Sequence, residues 1–314
     1  MDPPDGYELR APTAGDLAAV TALLQLGDPE RATLGADFVE GGWSLPGFDL
    51  STDAWAIRDG SGLVMAYGQI TPDEPDIVGS WGTVHPDHRG RGIGSVLLDR
   101  IDARATELLA GVPSGRFRHA IDGGDHAAER LLEARSLHFL RHFWHMQIDL
   151  DIPADAGPVP HGIEIGAIDP REDLPAVHAI LEEAFVDDPS RFHLPAAFDR
   201  WVEEEVGSPS FDASLWLLAR AEGTPAGALT ASAADDRGWI DFLAVDSRFR
   251  GRGIASALLR RSFALFADRG FRRVLVSVDA ENVTGATGVY ERVGMRIVNR
   301  WDLWERATSG APTG

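Results

Sequence analysis

The sequence predicts an α/β protein made of two related domains in tandem, each with a mixed sheet flanked by helices. A six-residue segment occurs twice, first as Arg89–Gly94 and then, 161 positions later, as Arg250–Ala255. Each copy follows a short apolar run and precedes an amphipathic helix. A repeat at this distance indicates duplicated domains, because the repeats of solenoid proteins are about 20–50 residues long.

The two halves share one predicted order of elements: strand, one or two helices, several strands, long helix, strand, helix and strand. Alternating residues at Tyr7–Arg10 and Ile163–Ile165 predict the first strand of each half. In the first half, the long helix has an apolar stripe at the 3.6-residue period, formed by Ile93, Leu97, Ile101, Ala105 and Leu108. Later elements of the second half are a strand at Val274–Val278, a helix at Ala286–Val293 and a strand at Arg296–Trp304.

We therefore expect one domain over residues 1–152 and a second over 162–306, joined by a linker at 153–161. The linker is rich in Pro, Asp and Gly, which interrupt helices and strands. Residues 307–314 are small and polar, and we expect a disordered tail there. A chain of 314 residues, 44% of them hydrophobic, is sufficient for two domains of about 150 residues each.

The composition excludes several classes of function. The chain has no cysteine, which excludes disulfides, a thiolate nucleophile and cysteine-ligated metals. All 29 basic residues are arginines, so lysine chemistry is excluded too. A net charge of −20 argues against nucleic acid as a partner, since phosphate binding needs a basic surface. No apolar run reaches the roughly 20 residues that span a bilayer and the N-terminal residues do not resemble a signal peptide, so we expect a soluble cytoplasmic protein with no membrane partner.

The repeated segment is a phosphate-binding pattern of one particular kind. A Walker loop needs Gly-Lys-Ser/Thr, which neither copy has. A Rossmann loop follows the first strand of its domain, whereas these copies lie deep in each half. The remaining pattern is R/Q-x-x-G-x-G/A between a central strand and a long helix, where free N–H groups at the helix start suit a phosphate. Both copies match it, at Arg89, Gly92 and Gly94 and at Arg250, Gly253 and Ala255.

With this loop in both halves, the sequence resembles the GNAT acetyltransferase superfamily, some members of which have two domains. The resemblance implies a mixed, mostly antiparallel central sheet in each domain. It also implies acetyl-coenzyme A (acetyl-CoA) as the cofactor, with its pyrophosphate on the loop. The cofactor-binding residues that it implies are Leu243, Ala244, Val245, Arg250, Gly251, Arg252, Gly253, Ile254, Ala255 and Asn282 in the second half, and Val84, Arg89, Gly90, Arg91, Gly92, Ile93 and Gly94 in the first.

The same resemblance implies two catalytic residues in the second half. The family's pattern is Asn, then a tyrosine followed by Glu-x-x-Gly-Phe/Met, and here Asn282 precedes Tyr290 and Glu-Arg-Val-Gly-Met. Tyr290 would protonate the departing thiolate, because the reference pKa of tyrosine, about 10, is close to that of a thiol, about 8.5. Asp241 occupies the position of a common general base, and the N–H near Val245 that of the oxyanion donor. The simpler alternatives are a Tyr290 ring packed in the core and a solvated Asp241 on a sheet face.

The first half departs from this catalytic pattern. Alignment of the halves puts Leu132 where Tyr290 stands and Gly124 where Asn282 stands. Ser80 takes the place of Asp241, and leucine cannot donate a proton. We therefore expect the second domain to catalyse. The first domain would bind coenzyme without turnover, or buttress the acceptor cleft.

The segment from Leu181 to Asp212 lies where such domains build the acceptor side. Its charge would attract a cationic amine, although a solvated helix face is the simpler interpretation of a charge run. Aromatic residues interleave with the charges and fit either a pocket for a sugar or aliphatic amine, or a core. The acidic residues are Glu182, Glu183, Asp187, Asp188, Asp199, Glu203, Glu204, Glu205 and Asp212; the cations are Arg191 and Arg200; the aromatic residues are Phe185, Phe192, Phe198, Trp201 and Phe211.

These observations predict an N-acetyltransferase that transfers an acetyl group from acetyl-CoA to the primary amine of a small, cationic molecule. Transfer would be direct, because there is no cysteine to carry an acyl group. Two alternatives remain open: a protein N-acetyltransferase, and a non-catalytic acyl-CoA-binding sensor module. The ten histidines show no spacing typical of a metal site, and the oligomeric state stays open between monomer and homodimer.

Overall fold

The computed structural model describes residues 2–26, 35–45, 47–150, 156–186, 197–208, 211–234, 237–281 and 285–307. The chain divides into two compact units. Unit 1 contains the described residues of Met1–His142 and Asn299–Gly314, and unit 2 those of Phe143–Val298. None of the helices within these ranges combines the length and apolarity needed to cross a bilayer.

The elements follow the predicted order in both halves of the chain. The strands are β1 (Tyr7–Arg10), β2 (Ala54–Asp59), β3 (Val64–Glu74), β4 (Ile77–Val84), β5 (Arg116–Asp122), β6 (His138–Asp149), β7 (Ile163–Ala167), β8 (Leu217–Ala221), β9 (Thr224–Ala234), β10 (Arg237–Val245), β11 (Arg273–Asp279) and β12 (Arg296–Ala307). The helices are α1 (Leu17–Gln25), α2 (Ala36–Trp43), α3 (Ile93–Leu108), α4 (His126–Glu133), α5 (Leu174–Phe185), α6 (Phe198–Trp201), α7 (Ile254–Asp268) and α8 (Ala286–Arg292).

In unit 1 the strands lie in the order β1-β2-β3-β4-β5-β12. Neighbouring strands are antiparallel except for β4 and β5, which are parallel. Helix α3 packs on β3 and β4 through its apolar stripe, in which Ile93, Leu97 and Ile101 are buried. Gly68 of β3 permits this close approach, because a Cβ at that position would lie 2.9 Å from Ile101 Cδ1.

In unit 2 the order is β6-β11-β10-β9-β8-β7, again with one parallel pair, β10 and β11, among the described strands. Helix α7 packs on β8, β9 and β10. Gly238 of β10 leaves room for the Phe266 ring, which a Cβ at that position would meet at 2.5 Å. The predicted fold class, a mixed and mostly antiparallel sheet flanked by helices in each half, is confirmed.

The compact units differ from the predicted domains, 1–152 and 162–306. The last strand of each half of the sequence joins the sheet formed by the other half. Trp301–Ala307 of β12 pair with β5 in unit 1, and Phe143–Asp149 of β6 pair with β11 in unit 2. The predicted order of elements includes a last strand in each half but does not specify the sheet edge that each one joins. Part of the predicted linker, 153–155, and the tail residues 308–314 lie outside the described residues.

Candidate active site

The site of unit 2 begins where two parallel strands part. Pairing between β10 and β11 runs from Arg237 opposite Arg273 to Ile240 opposite Val276. From Phe242 to Val245, β10 pairs with β9, and a β-bulge interrupts that pairing between Ile240 and Phe242. Among the described residues, β10 and β11 therefore open like a wedge at their carboxyl ends. β-bulges often lie next to active sites because they redirect a side chain.

Asp241 lies in this bulge. Its Oδ1 accepts a hydrogen bond of 3.0 Å from Ser232 Oγ on β9, and the side chain is half-buried. Burial raises the pKa of Asp241 to about 7; the bond from Ser232 opposes this shift, and the charge of Glu205 adds to it. A carboxyl group of this kind takes up and releases a proton near neutral pH, as a general base requires.

The second glycine loop (Arg250–Ala255) joins β10 to α7. Gly253 is the N-cap of α7 with φ +80°, and Gly251 has φ +75°, a region that side chains with a Cβ rarely adopt. The first N–H groups of α7 have no acceptor within the helix and carry its positive end. Arg250 Nε donates to the carbonyl oxygen of Val245 at 3.1 Å, which ties the loop to the end of β10. The loop thus places the free N–H groups of a helix start beside the wedge.

The last residues of β10 direct backbone groups into the wedge. The Asp246 N–H donates to Ala226 of β9 at 3.1 Å. Because N–H groups alternate in direction along a strand, those of Val245 and Leu243 point away from β9, towards the opening, and that of Ala244 points to β9. The orientation of Val245 is the one that an oxyanion donor needs.

Tyr290 lies on α8, which packs against α7. Its side chain is buried, with 6% exposed, and burial raises the pKa of its hydroxyl. The hydroxyl makes no hydrogen bond to a described residue and keeps its proton throughout the physiological pH range. Tyr290 is therefore part of the core of unit 2 and also a protonated donor on the helix beside α7. Asn282 lies outside the described residues.

The acidic segment separates into exposed and buried parts. Glu203 and Glu204 are exposed, whereas Glu205, on the π-helical turn Val202–Val206, is half-buried. Burial raises the pKa of Glu205, and the charge of Glu204 adds to this. Trp201 is in the core, with its ring centroid 5.8 Å from that of Trp216. Asp187, Asp188, Arg191 and Phe192 lie outside the described residues.

Unit 1 has a matching loop and a cavity. Gly92 is the N-cap of α3 with φ +86°, and Arg89 Nε donates to the carbonyl oxygen of Val84 at 3.4 Å. The His85 N–H donates to Met65 of β3, so the backbone N–H of Val84 points away from β3. A cavity of about 450 Å³ lies between this first glycine loop (Arg89–Gly94), the end of β4, β5 and α4. Ligand pockets of proteins have this size, about 300–1,000 Å³.

The titrating groups of unit 2 have no counterparts in unit 1. Leu132, at the position of Tyr290, is fully buried. Ser80, at the position of Asp241, makes hydrogen bonds with the Arg118 carbonyl at 2.9 Å and with His119 Nδ1 at 2.7 Å. Gly124, at the position of Asn282, has φ +85°. Unit 1 thus has a matching glycine loop and a cavity, but its residues at these three positions carry no charge.

Sequence reasoning missed the partners of these positions. Ser232 binds Asp241 because the β9–β10 hairpin sets Ser232 opposite Trp239, a register that a hairpin alignment would have suggested. His119 meets Ser80 across two parallel strands, 39 positions apart in sequence, and no local pattern signals that contact. Glu205 was one of nine acidic residues in its segment, and burial alone distinguishes it from its neighbours.

A wedge between two parallel strands, a glycine loop at the next helix start and a half-buried carboxyl group in the wedge are the features that the resemblance to acetyltransferases implied. Residues 174–295 match the model of the Acetyltransferase (GNAT) family. A mycothiol acetyltransferase of Salinispora arenicola is 31% identical over 257 residues, which cover 78% of this chain and 78% of that protein. The chain belongs to the GNAT acetyltransferase family, whose members are enzymes that use acetyl-CoA.

Solved structures agree with this assignment. A GCN5-related N-acetyltransferase from Sphaerobacter thermophilus is similar with a TM-score of 0.83 and 32% identity, over 97% of this chain and 96% of that one. A tandem GNAT protein from the clavulanic acid biosynthesis pathway has a TM-score of 0.63 over 97% of this chain and 99% of that one. At 17% identity the second likeness concerns the fold alone.

Proposed function

We propose that unit 2 is an N-acetyltransferase that uses acetyl-CoA and acetylates the primary amine of a small, cationic molecule by direct attack. When bound, acetyl-CoA supplies the acetyl group as an activated thioester. The second glycine loop and Asn282 would hold the coenzyme, since Gly253 at φ +80° brings backbone N–H groups to a helix start beside the wedge. The observation that carries the proposal is Asp241, a half-buried carboxyl group in that wedge with a pKa near 7.

Asp241 acts as the general base in this mechanism. An acceptor ammonium group must lose a proton before its nitrogen can attack, and the Asp241 carboxylate accepts that proton. A base is most effective when its pKa lies near the working pH. Ser232 holds the carboxylate by the 3.0 Å bond to Oδ1, which leaves the second oxygen of Asp241 to accept the proton.

Tyr290 and Val245 serve the leaving group and the developing charge. The Tyr290 hydroxyl gives its proton to the departing thiolate and regains one from solvent after release. The Val245 N–H stabilises negative charge on the acyl oxygen, because it points away from β9 into the wedge. Each group acts at a different atom, so loss of one should leave partial activity.

The acceptor is proposed to be cationic because Asp241 and Glu205 interact electrostatically, and because the net charge of the chain is −20. An ammonium group between the two carboxyl groups would relieve their repulsion. Relatives with about 30% identity are named mycothiol acetyltransferases, which favours a cysteinyl sugar among the small amines. Unit 1 would bind coenzyme without catalysis, since Leu132 and Ser80 replace the acid and the base.

The test is thiol release from acetyl-CoA by the full chain with a panel of aminoglycosides, polyamines, amino acids, cysteinyl sugars and a lysine peptide. We expect release with one small amine and loss of that release in Asp241→Asn. Glu164→Gln is the matched control, because Glu164 is exposed on β7 of the same unit. Release with the peptide alone would support a protein acetyltransferase. Coenzyme binding without release from any amine would contradict the proposal and favour a sensor module.

A further inference from the structure

Two ionisable side chains of β5 line the cavity of unit 1: His119, which is buried, and Asp122, which is half-buried at the end of the strand. His119 lines the cavity and is 4% exposed. Burial lowers the pKa of His119 to about 4, and the charge of Arg135 adds to this effect. Through its bond to Ser80, which stands at the position of Asp241, His119 marks the end of the cavity that corresponds to the reacting end of unit 2.

Hydrogen-bond accounting assigns the proton of this ring. Ser80 has a single hydroxyl proton, and the Arg118 carbonyl, 2.9 Å from Ser80 Oγ, can only accept. The hydroxyl proton therefore goes to Arg118, so the 2.7 Å contact between Ser80 and His119 requires the proton to sit on Nδ1. Nε2 is then a bare acceptor, and it has no hydrogen-bond partner among the described residues.

The same accounting argues against a serine nucleophile. A serine that attacks a thioester needs a ring nitrogen without a proton to take its hydroxyl proton. Here Nδ1 already holds a proton, and Ser80 donates to a carbonyl oxygen instead. Ser80 thus fixes the tautomer of His119 and does not itself react.

The cavity lining beyond His119 is partly apolar. Leu97, Leu98 and Ile101 of α3 and Ile121 of β5 line it, while the first glycine loop lines it elsewhere. The charged side chains Asp122, Asp125 and Arg130, from the end of β5 to α4, also line it. A coenzyme with its pyrophosphate on that loop would extend its sulfur end towards His119, whose Nε2 can accept a hydrogen bond. Free coenzyme A ends in a thiol, which can donate a hydrogen bond, whereas the acetyl thioester ends in acceptors alone.

We propose that unit 1 is a site for free coenzyme A, selective against acetyl-CoA, in which His119 Nε2 accepts a hydrogen bond from the thiol. The selectivity rests on the proposed function insofar as the first glycine loop binds coenzyme. Free coenzyme A is the product of acetyl transfer, so unit 1 would bind the product of the reaction and unit 2 would bind the acetyl donor. Thiols are weak donors, and an unpaired carbonyl facing Nε2 is unfavourable, so we expect a preference of roughly threefold to tenfold.

The test uses the full chain carrying Gly253→Val, which strains the second loop and weakens coenzyme binding to unit 2, so that the tighter of any two sites is that of unit 1. Calorimetry measures the dissociation constants of coenzyme A, acetyl-CoA and S-methyl-coenzyme A. We expect coenzyme A to bind most tightly and the two S-substituted forms to bind alike. His119→Phe keeps a ring but removes the acceptor, and should equalise all three. Because that variant removes a partner of Ser80 and can fail to fold, Ser80→Ala is the second variant: it frees His119 to place its proton on Nε2 and should also reduce the preference.

Three outcomes would overturn the proposal. Equal or tighter binding of acetyl-CoA to the Gly253→Val chain would show that Nε2 does not meet the thiol. Hydrolysis of acetyl-CoA by that chain that is lost when Ser80→Ala is added would show that Ser80 is a nucleophile. No binding of any form would show that the first loop is not a coenzyme site, and acetyl transfer by the parent chain would then show that the proposed activity of unit 2 is unaffected.

Discussion

Replacing Asp241 by Asn tests two properties of this carboxyl group: how much it destabilises unit 2, and how much it contributes to acetyl transfer. Burial raises its pKa from 3.8 to about 7. Because the folded state holds this proton more tightly than the unfolded state, the free energy of unfolding falls as pH rises from about 4 to about 7, and the loss is complete above that range. At 1.36 kcal/mol per pKa unit, the shift corresponds to about 4 kcal/mol at most, and about 2 kcal/mol remains after allowance for partial exposure to solvent.

Asn keeps the size of Asp241 and an oxygen that accepts from Ser232, but it carries no charge. We therefore expect Asp241→Asn to stabilise unit 2 by about 2–4 kcal/mol at about pH 8, with a gain of roughly 40% of that at about pH 5. Acetyl transfer should fall by about 10²–10⁴-fold, the usual contribution of a general base. Urea unfolding followed by tryptophan fluorescence at both pH values measures the first effect, and thiol release measures the second.

Glu164→Gln is the control for both assays, since the exposed Glu164 side chain makes no interaction with Asp241 and should shift neither quantity. The pH dependence is the decisive part of the result. A gain in stability that is the same at both pH values, or no gain at all, would mean that ionisation of Asp241 does not lower the free energy of unfolding. Asp241 would then not be a general base with a pKa near neutral pH.

The remaining predictions concern the neighbours of that carboxyl group and the coenzyme loop. Glu205→Gln removes a charge that raises the pKa of Asp241, so the rise of kcat/KM with pH should move to lower pH. Ser232→Ala removes a hydrogen bond that lowers the pKa of Asp241, so the rise of kcat/KM should move to higher pH. Shifts in the same direction would contradict the assignment. Tyr290→Phe should lower kcat by about 10²-fold or more and leave coenzyme affinity nearly unchanged, and calorimetry beside steady-state kinetics would expose an equal loss in both. Gly253→Val places a β-branched residue at φ +80° and should weaken coenzyme binding to unit 2, seen as a raised KM or lost activity, whereas an unaltered KM would argue against the loop.

Local patterns predicted the elements that carry the site. The repeated glycine segments end in helices that begin at Ile93 and Ile254, because glycine at a positive φ and the apolar period of the next residues are both local properties. The strand at Tyr7–Arg10 and the helix beginning at Ala286 are confirmed for the same reason, although that helix ends at Arg292, one residue before the predicted end. The short apolar run before the second glycine segment also predicted the strand that contains Asp241.

Relations between distant segments could not be predicted in this way. β6 and β12 have the alternation of strands, but their partners, β11 and β5, are chosen by which sheet edge is open. The pKa of Asp241 depends on its burial in the folded unit, and also on Glu205 and Ser232, which come from a π-helical turn and another strand. Likewise, the partner of Ser80 is decided by the register of two parallel strands. Each of these facts follows from assembly of the sheet.

The exchange of last strands has a consequence for the order in which the two units are made. Unit 2 is contiguous, from Phe143 to Val298, and its sheet can close before synthesis ends. Unit 1 begins at the N-terminus, yet the edge of β5 has no partner until Trp301–Ala307 leave the ribosome. An unpaired strand edge promotes aggregation, and domains usually fold in the order of synthesis. We therefore expect the half that is translated first to finish folding last.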